Sequence, residues 1–184
     1  PRQRRQAHPW PEVRSAALSR VTGPCEGPVI KQLAKIADAT GKHGEAEAIV
    51  AREAIAALGR CGGDPARRAL TELLDAADQD SDRRAEAGRQ LIKNFAGEGA
   101  DAAAAALHRT PDTGLSLRLL RAFQRGGVQV TPKVREALCS ATEAGETAAA
   151  ARQAIAAVMP DEESPCGERS APERPDPEKP RVYM

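Results

Sequence analysis

The sequence predicts an all-α fold of about nine short helices packed as antiparallel pairs. Three observations predict it. Apolar residues recur at helical spacing along most of the chain and are interrupted by glycine and proline. Alanine makes up about a fifth of the residues while aromatics are 2%, a composition suited to close helix–helix approach and poor for sheets. The residues Val21, Leu58, Leu91, Phe123 and Val158 recur in the helical pattern at roughly 32–37-residue intervals, a repeat period of the helical-array range.

Taken in order, residues 1–10 (PRQRRQAHPW) read as a basic, solvated loop rather than a binding arm, despite Arg2, Arg4 and Arg5. A helix follows from Glu12 to Thr22, with Val13, Ala17 and Val21 on one face. Gly23, Pro24 and Gly27 break it. Pro28 to Asp38 carries Ile30, Leu33, Ala34 and Ala37 inward, and Gly41 to Gly44 is a turn. The clearest stretch is Val50–Asp75. Val50, Ala54, Ala57 and Leu58 share a face of helix 45–60. Gly59, Gly62 and Gly63 are expected to end it, and Asp64 to cap helix 64–77 with Pro65 in its first position. Ala66, Ala69, Leu70, Leu73 and Leu74 form the apolar face of that second helix.

Asp78 to Asp82 reads as an acidic turn, and helix 83–95 carries Ala87, Leu91 and Phe95. Gly97 and Gly99 are expected to interrupt before a short alanine helix that runs to Leu107. Thr110, Pro111 and Asp112 start a turn. The next helix carries Leu115, Leu119, Ala122 and Phe123 and stops at Gly126–Gly127. Thr131 and Pro132 are a cap and first-turn proline for a helix with Val134, Ala137, Leu138 and Ala141. Glu146 to Met159 is the last helix, with Ala150, Ala154, Ala157 and Val158 inward. Gly127–Thr131 (GVQVT) is the sole strand candidate and is too short to matter.

Net charge is +1, so the molecule as a whole is no electrostatic magnet for nucleic acid or membrane. No apolar run approaches bilayer length, and no signal-peptide pattern is present. The chain begins at Pro1 rather than Met, which reads as a processed or truncated piece.

At His8–Leu18 (HPWPEVRSAAL) and Val50–Leu74 (VAREAIAALGRCGGDPARRALTELL) the chain resembles the HEAT-repeat family of bacterial proteins. That pattern is helix A, an Asp/Pro turn, helix B with a Val-Arg and Ala-Leu-Gly run, then a Gly-Asp-Pro turn. Trp10 stands where the pattern usually has Asp, and the later repeats (83–95, 115–125, 148–158) keep the spacing without the signatures. The resemblance extends over residues 9–159. It implies a right-handed α-solenoid over residues 1–159 whose stacked pairs bury one continuous core. In that register the chain opens on a B helix whose A partner is missing. An uncovered stripe of Val13, Ala17 and Val21 would then make a poor solenoid end, so at least one more helix is expected upstream. Residues 160–184 are dense in proline and charge, net about −3, and read as a disordered tail. The terminal Val182, Tyr183 and Met184 read as part of that tail rather than as a docking motif.

No catalytic constellation is visible, so no enzymatic activity and no cofactor are expected. His8, His43 and His108 lie apart, in predicted turns, and read as surface imidazoles. HExxH, P-loop, GxSxG and dinucleotide patterns are absent. Asp75–Asp82 (DAADQDSD) resembles a calcium loop but lacks its turn glycine and closing glutamate. No CxxC pair exists to suggest zinc. In the repeat register Cys25 and Cys61 occupy nearly equivalent places after successive B helices, so a Cys25–Cys61 disulfide is geometrically reasonable. Cys139 and Cys166 could form a second. Four cysteines allow three pairings, and free thiols remain the other reading. Disulfides would place the protein outside the reducing cytosol, in the periplasm or secreted; free thiols would favour the cytoplasm.

The resemblance also implies that the B helices line a concave face. Arg14, Arg52, Arg84, Arg118, Arg121 and Arg125 are its principal cations, with further arginines and Lys93 on the same helices and fewer acids. Ordinary solvated arginines are the plain reading. The functional one is a non-catalytic protein–protein interaction scaffold whose basic face takes an acidic segment of a protein partner, or the chain's own acidic tail. Because HEAT-like arrays host unrelated roles, two alternatives are carried. Nucleic-acid binding with a DNA-glycosylase-like architecture is disfavoured by the few aromatics (Trp10, Phe95, Phe123, Tyr183). For a phycobilin-lyase-like role no residue speaks specifically.

Overall fold

The computed structural model describes residues 10–38, 45–125 and 127–167. Among these the chain forms nine α-helices and no β-strand: α1 (Pro11–Ser19), α2 (Gly27–Ala37), α3 (Glu45–Cys61), α4 (Gly63–Asp75), α5 (Ser81–Asn94), α6 (Ala96–Arg109), α7 (Thr113–Arg125), α8 (Pro132–Ala141) and α9 (Ala148–Val158). The expected turn over 41–44 and the expected stop at Gly126 lie outside the described residues.

Packing follows a simple alternation. α1 lies on α3, α3 on α5, α5 on α7 and α7 on α9, while α2, α4, α6 and α8 form a second succession beside the first. The core runs between the two rows. Leu58, Leu70, Leu74, Leu91, Leu115, Leu119, Leu120, Phe123 and Leu138 are all essentially inaccessible. Burying each such side chain stabilises the fold by about 1.5–3 kcal/mol relative to exposure. The expected inward sets of α3, α4 and α7 are buried in full.

Local chemistry sets the helix starts. The Asp80 side chain accepts from Arg83 N–H at 2.9 Å and caps α5. Asp112 accepts from Leu115 N–H at 3.1 Å at the start of α7, and Thr131 accepts from Val134 N–H at 3.1 Å at the start of α8. Proline occupies the first turn of α1, α2 and α8, where its missing N–H leaves no bond unmade.

Several expectations are corrected. Gly59 does not end α3: it is buried within the helix, where a Cβ would meet the Gln90 side chain at 2.4 Å. The left-handed turn falls to Gly62 and Gly63, with φ of 66° and 73°. Gly62 rather than Asp64 is the N-cap of α4, and Asp64 instead pairs with Arg67. Gly97 and Gly99 do not interrupt; both lie inside α6, which is a full 14 residues. The break falls at Phe95, with Ala96 at a φ of 45°. A Cβ on Gly99 would stand 2.1 Å from the Leu91 carbonyl oxygen, so glycine is what lets α6 fold tightly back on the end of α5. His108 sits in the last turn of α6 rather than in a loop.

The terminal helices are rotated from expectation. In α1 the buried residue is Leu18, while Val13 and Ala17 face solvent. In α9 the buried residues are Ala151, Ala154 and Ile155, and Ala157 is exposed. A helix at the end of a row has a neighbour along the row on one side only, so its apolar stripe is a poorer guide to what it buries.

Two disulfides fasten the ends. Cys25 Sγ and Cys61 Sγ are bonded at 1.98 Å and tie the approach to α2 to the last residue of α3. Cys139 Sγ and Cys166 Sγ are bonded at 2.03 Å, and no cysteine is free. The second bridge joins residues beyond α9 to α8. Arg135 reinforces it, gripping the Glu162 carboxylate with both terminal nitrogens and donating to the Pro165 carbonyl at 2.8 Å. Residues 160–167 are thus held against α8, and residues 168–184 lie outside the described chain.

Candidate partner-binding groove

Helices α3, α5 and α7 are neighbours in the first row. Their apolar sides face the core, so their polar sides face outward together. On α7 the core takes Leu115, Leu119, Ala122 and Phe123. That leaves Arg118, Arg121 and Arg125, at i, i+3 and i+7, on the outer face. Arg89 and Lys93, at i and i+4, do the same on α5, and Arg52 does so on α3. Between these side chains runs a groove of about 570 Å³, floored by Ala85, Ile92 and Ala122 and lined by six cations and two carboxylates, Asp82 and Glu86.

Both carboxylates are engaged. Arg118 Nη2 lies 2.7 Å from Asp82. Arg89 donates to Glu86 through Nε at 2.8 Å, and Glu86 also accepts from Gln90 at 2.7 Å. The Glu86 hydrogen bond raises the Arg89 pKa further, its effect exceeding the desolvation that opposes it. Arg52, Lys93, Arg121 and Arg125 are exposed and make no ion pair among the described residues. Like charges one turn apart on a helix, as at Arg121 and Arg125, are mutually destabilising by about 0.2–0.5 kcal/mol. A bound anion relieves that repulsion and gains charge-assisted hydrogen bonds from the guanidinium groups.

Of the six arginines singled out from sequence, the structure brings Arg52, Arg118, Arg121 and Arg125 to this groove. It places Arg14 and Arg84 elsewhere. Arg14 bonds Glu47 at 2.8 Å and ties α1 to α3. Arg84 Nε donates to the Leu74 carbonyl at 2.9 Å, satisfying an acceptor that the end of α4 leaves open. Arg60 serves a similar purpose, donating to the Leu18 and Val21 carbonyls, both at 2.9 Å, while pairing with Glu53. Arg89 and Lys93, expected among the further cations of the same face, also line the groove. The Asp82 and Glu86 pairings were not legible.

Among the described residues no group of three or more His, Cys, Asp or Glu is placed to hold a metal ion. Asp75–Asp82 is shared between helix ends: Asp75 closes α4 and pairs with Arg109, and Asp80 caps α5. Buried Gln79 in the same turn donates to Asp38 Oδ1 at 2.8 Å. His108 is exposed; His8, His43 and Tyr183 lie outside the described residues. Phe123 is buried in the core, and among the described residues no aromatic side chain lines the groove. No described helix is long and apolar enough to cross a membrane. No protein-family model, no curated protein and no solved structure matches the chain.

Proposed function

We propose that the chain is a non-catalytic protein–protein interaction scaffold, a right-handed α-solenoid of HEAT-like repeats whose arginine-lined groove takes a protein partner through an acidic segment. The observation that carries this reading is the set of four cations, Arg52, Lys93, Arg121 and Arg125, gathered in one groove without ion-pair partners among the described residues. Support for the repeat architecture comes from the succession of odd-numbered helices beside even-numbered ones. The lining offers cations and small apolar groups, and its two carboxylates already face arginines, a set suited to holding an anion rather than to moving protons. Two disulfides favour an oxidising compartment, periplasmic or extracellular.

The test is a comparative capture with wild-type protein and the triple variant Arg52→Glu, Arg121→Glu, Arg125→Glu, using extracts from the host envelope and medium. A protein retained by the wild type and lost by the variant is the expected result. Equal yields from both would remove the groove as the site. Retention on DNA that falls steeply with salt and vanishes in the variant would transfer the groove to nucleic acid.

A further inference from the structure

Resting on that reading, we infer that the partner segment is an extended acidic peptide with aliphatic side chains interspersed among its carboxylates, not a uniformly charged polyanion. The four cations without an ion pair among the described residues are spread over three helices, α3, α5 and α7. Neighbouring helix axes lie about 8–10 Å apart, so these cations cover roughly 16–20 Å across the row. At about 3.3 Å per residue that is the reach of five or six residues of extended chain. A groove of about 570 Å³ accommodates a short run of side chains rather than the face of a folded domain.

Two features of the lining select the chemistry. The floor beneath the cations is aliphatic: Ala85, Ile92 and Ala122 carry no polar side-chain atom. These three are already buried, so an apolar side chain lying over them removes from water chiefly its own surface and the alkyl stems of the flanking arginines and Lys93, which a phosphate or carboxylate cannot do. Asp82 and Glu86 also remain in the groove beside their arginines. A chain charged at every unit must lie against both carboxylates, whereas a peptide sets an uncharged residue there. With no aromatic side chain among the described residues of the lining, nucleic-acid bases find no stacking surface there. The cations are mostly arginine, whose planar fork matches a carboxylate through two parallel hydrogen bonds.

The experiment uses the full chain and fluorescence anisotropy with four probes: a peptide of three Glu-Glu-Leu repeats, its Glu-Glu-Ser counterpart of equal charge, inorganic polyphosphate as a competitor, and a single-stranded oligonucleotide. The Glu-Glu-Leu peptide is expected to bind about fivefold tighter than the Glu-Glu-Ser peptide, the effect of about 1 kcal/mol of part-buried aliphatic surface. Arg121→Glu with Arg125→Glu, at two exposed positions, is expected to weaken both peptides about tenfold or more while leaving the helical circular-dichroism signal unchanged. Equal affinity for the two peptides overturns the inference and leaves the scaffold standing. Tighter binding of the oligonucleotide, or displacement of the Glu-Glu-Leu peptide by equimolar polyphosphate, overturns both readings. Peptide binding that survives the double variant places the peptide elsewhere and overturns the inference. Failure of every probe overturns it too, and the capture experiment then decides the scaffold separately.

Discussion

Arg118 on α7 reaches Asp82 on α5 across 2.7 Å and so ties two neighbouring helices at the mouth of the groove. Both side chains are about half exposed, at 45% and 58%. Water screens such a pair, and it contributes about 0–1 kcal/mol to the fold. Its larger consequence is electrostatic, because it neutralises one of the six cations around the floor.

Asp82→Asn releases Arg118 and raises the positive charge of the groove by one. Affinity for an acidic peptide should rise about two- to fivefold, with a steeper salt dependence, while stability changes by less than about 0.5 kcal/mol. Anisotropy titrations at two ionic strengths, beside a urea unfolding curve, check both parts. Unchanged affinity would show that Arg118 does not meet the ligand.

Gly99→Ala should be costly. Alanine ordinarily improves a helix interior by about 0.5–1 kcal/mol over glycine. Here the new Cβ would stand 2.1 Å from the Leu91 carbonyl oxygen, a backbone atom that can yield only if α5 and α6 separate. A loss of about 2–4 kcal/mol is expected. Gly88→Ala meets the end of the Leu119 side chain at 2.3 Å, which can turn aside, and should cost about 1 kcal/mol. Urea midpoints rank the two.

Alkylation without reductant should modify none of the four cysteines, since both pairs are bonded. On titrating in reductant, Cys139–Cys166 should open first: Cys166 is exposed, whereas Cys61 is buried. The chain-entropy model assigns about 3–4 kcal/mol to closing a loop of the size spanned by Cys25 and Cys61. The paired Cys25→Ser, Cys61→Ser variant should therefore lower thermal stability markedly, read by calorimetry. Peptide mapping of partly reduced protein gives the order of opening.

Acid should loosen the junction of α5 and α7. The Ser81 hydroxyl hydrogen bond is the main cause that holds the Asp112 carboxyl below its ordinary pKa, followed by the backbone N–H of Leu115, with Gly114 and the nearby Arg84 assisting. A carboxylate with a depressed folded pKa contributes stability that is complete above its unfolded value, near 3.9, and lost as pH falls through the folded one. Asp112→Asn should therefore be less stable than wild type at pH 7, with the gap closing below about pH 4. Denaturation curves at several pH values test this; a constant gap would assign the effect to shape rather than charge.

The sequence made the helices legible because helix formation is local. The alternation of Val50, Ala54, Ala57 and Leu58 marks a buried face without reference to any distant residue, and all four are buried. Caps that depend on neighbours three residues away, such as Thr131 to Val134, were equally readable. Glycine was the weak point. Its presence at 59, 97 and 99 reads as a stop, yet Gly59 and Gly99 are close-approach sites whose meaning lies in a partner helix. The candidate site was legible only as a set of arginines on alternate helices. That set put Arg14 and Arg84, which serve neighbouring helices, among its principal members and Lys93 only among the further cations.

By itself the sequence determined that the chain is helical, where most helices lie and which faces of the inner helices are apolar, because periodicity and capping act within a few residues. Only the tertiary structure decided which charges are open. Whether an arginine is free or bound depends on an atom on another helix, as with Arg118 and Asp82, 36 residues apart in sequence, and a few ångströms of side-chain reach separate the two outcomes. The cysteine pairing was settled at the same level, because a bond between Cys139 and Cys166 requires α9 to turn the chain back onto α8.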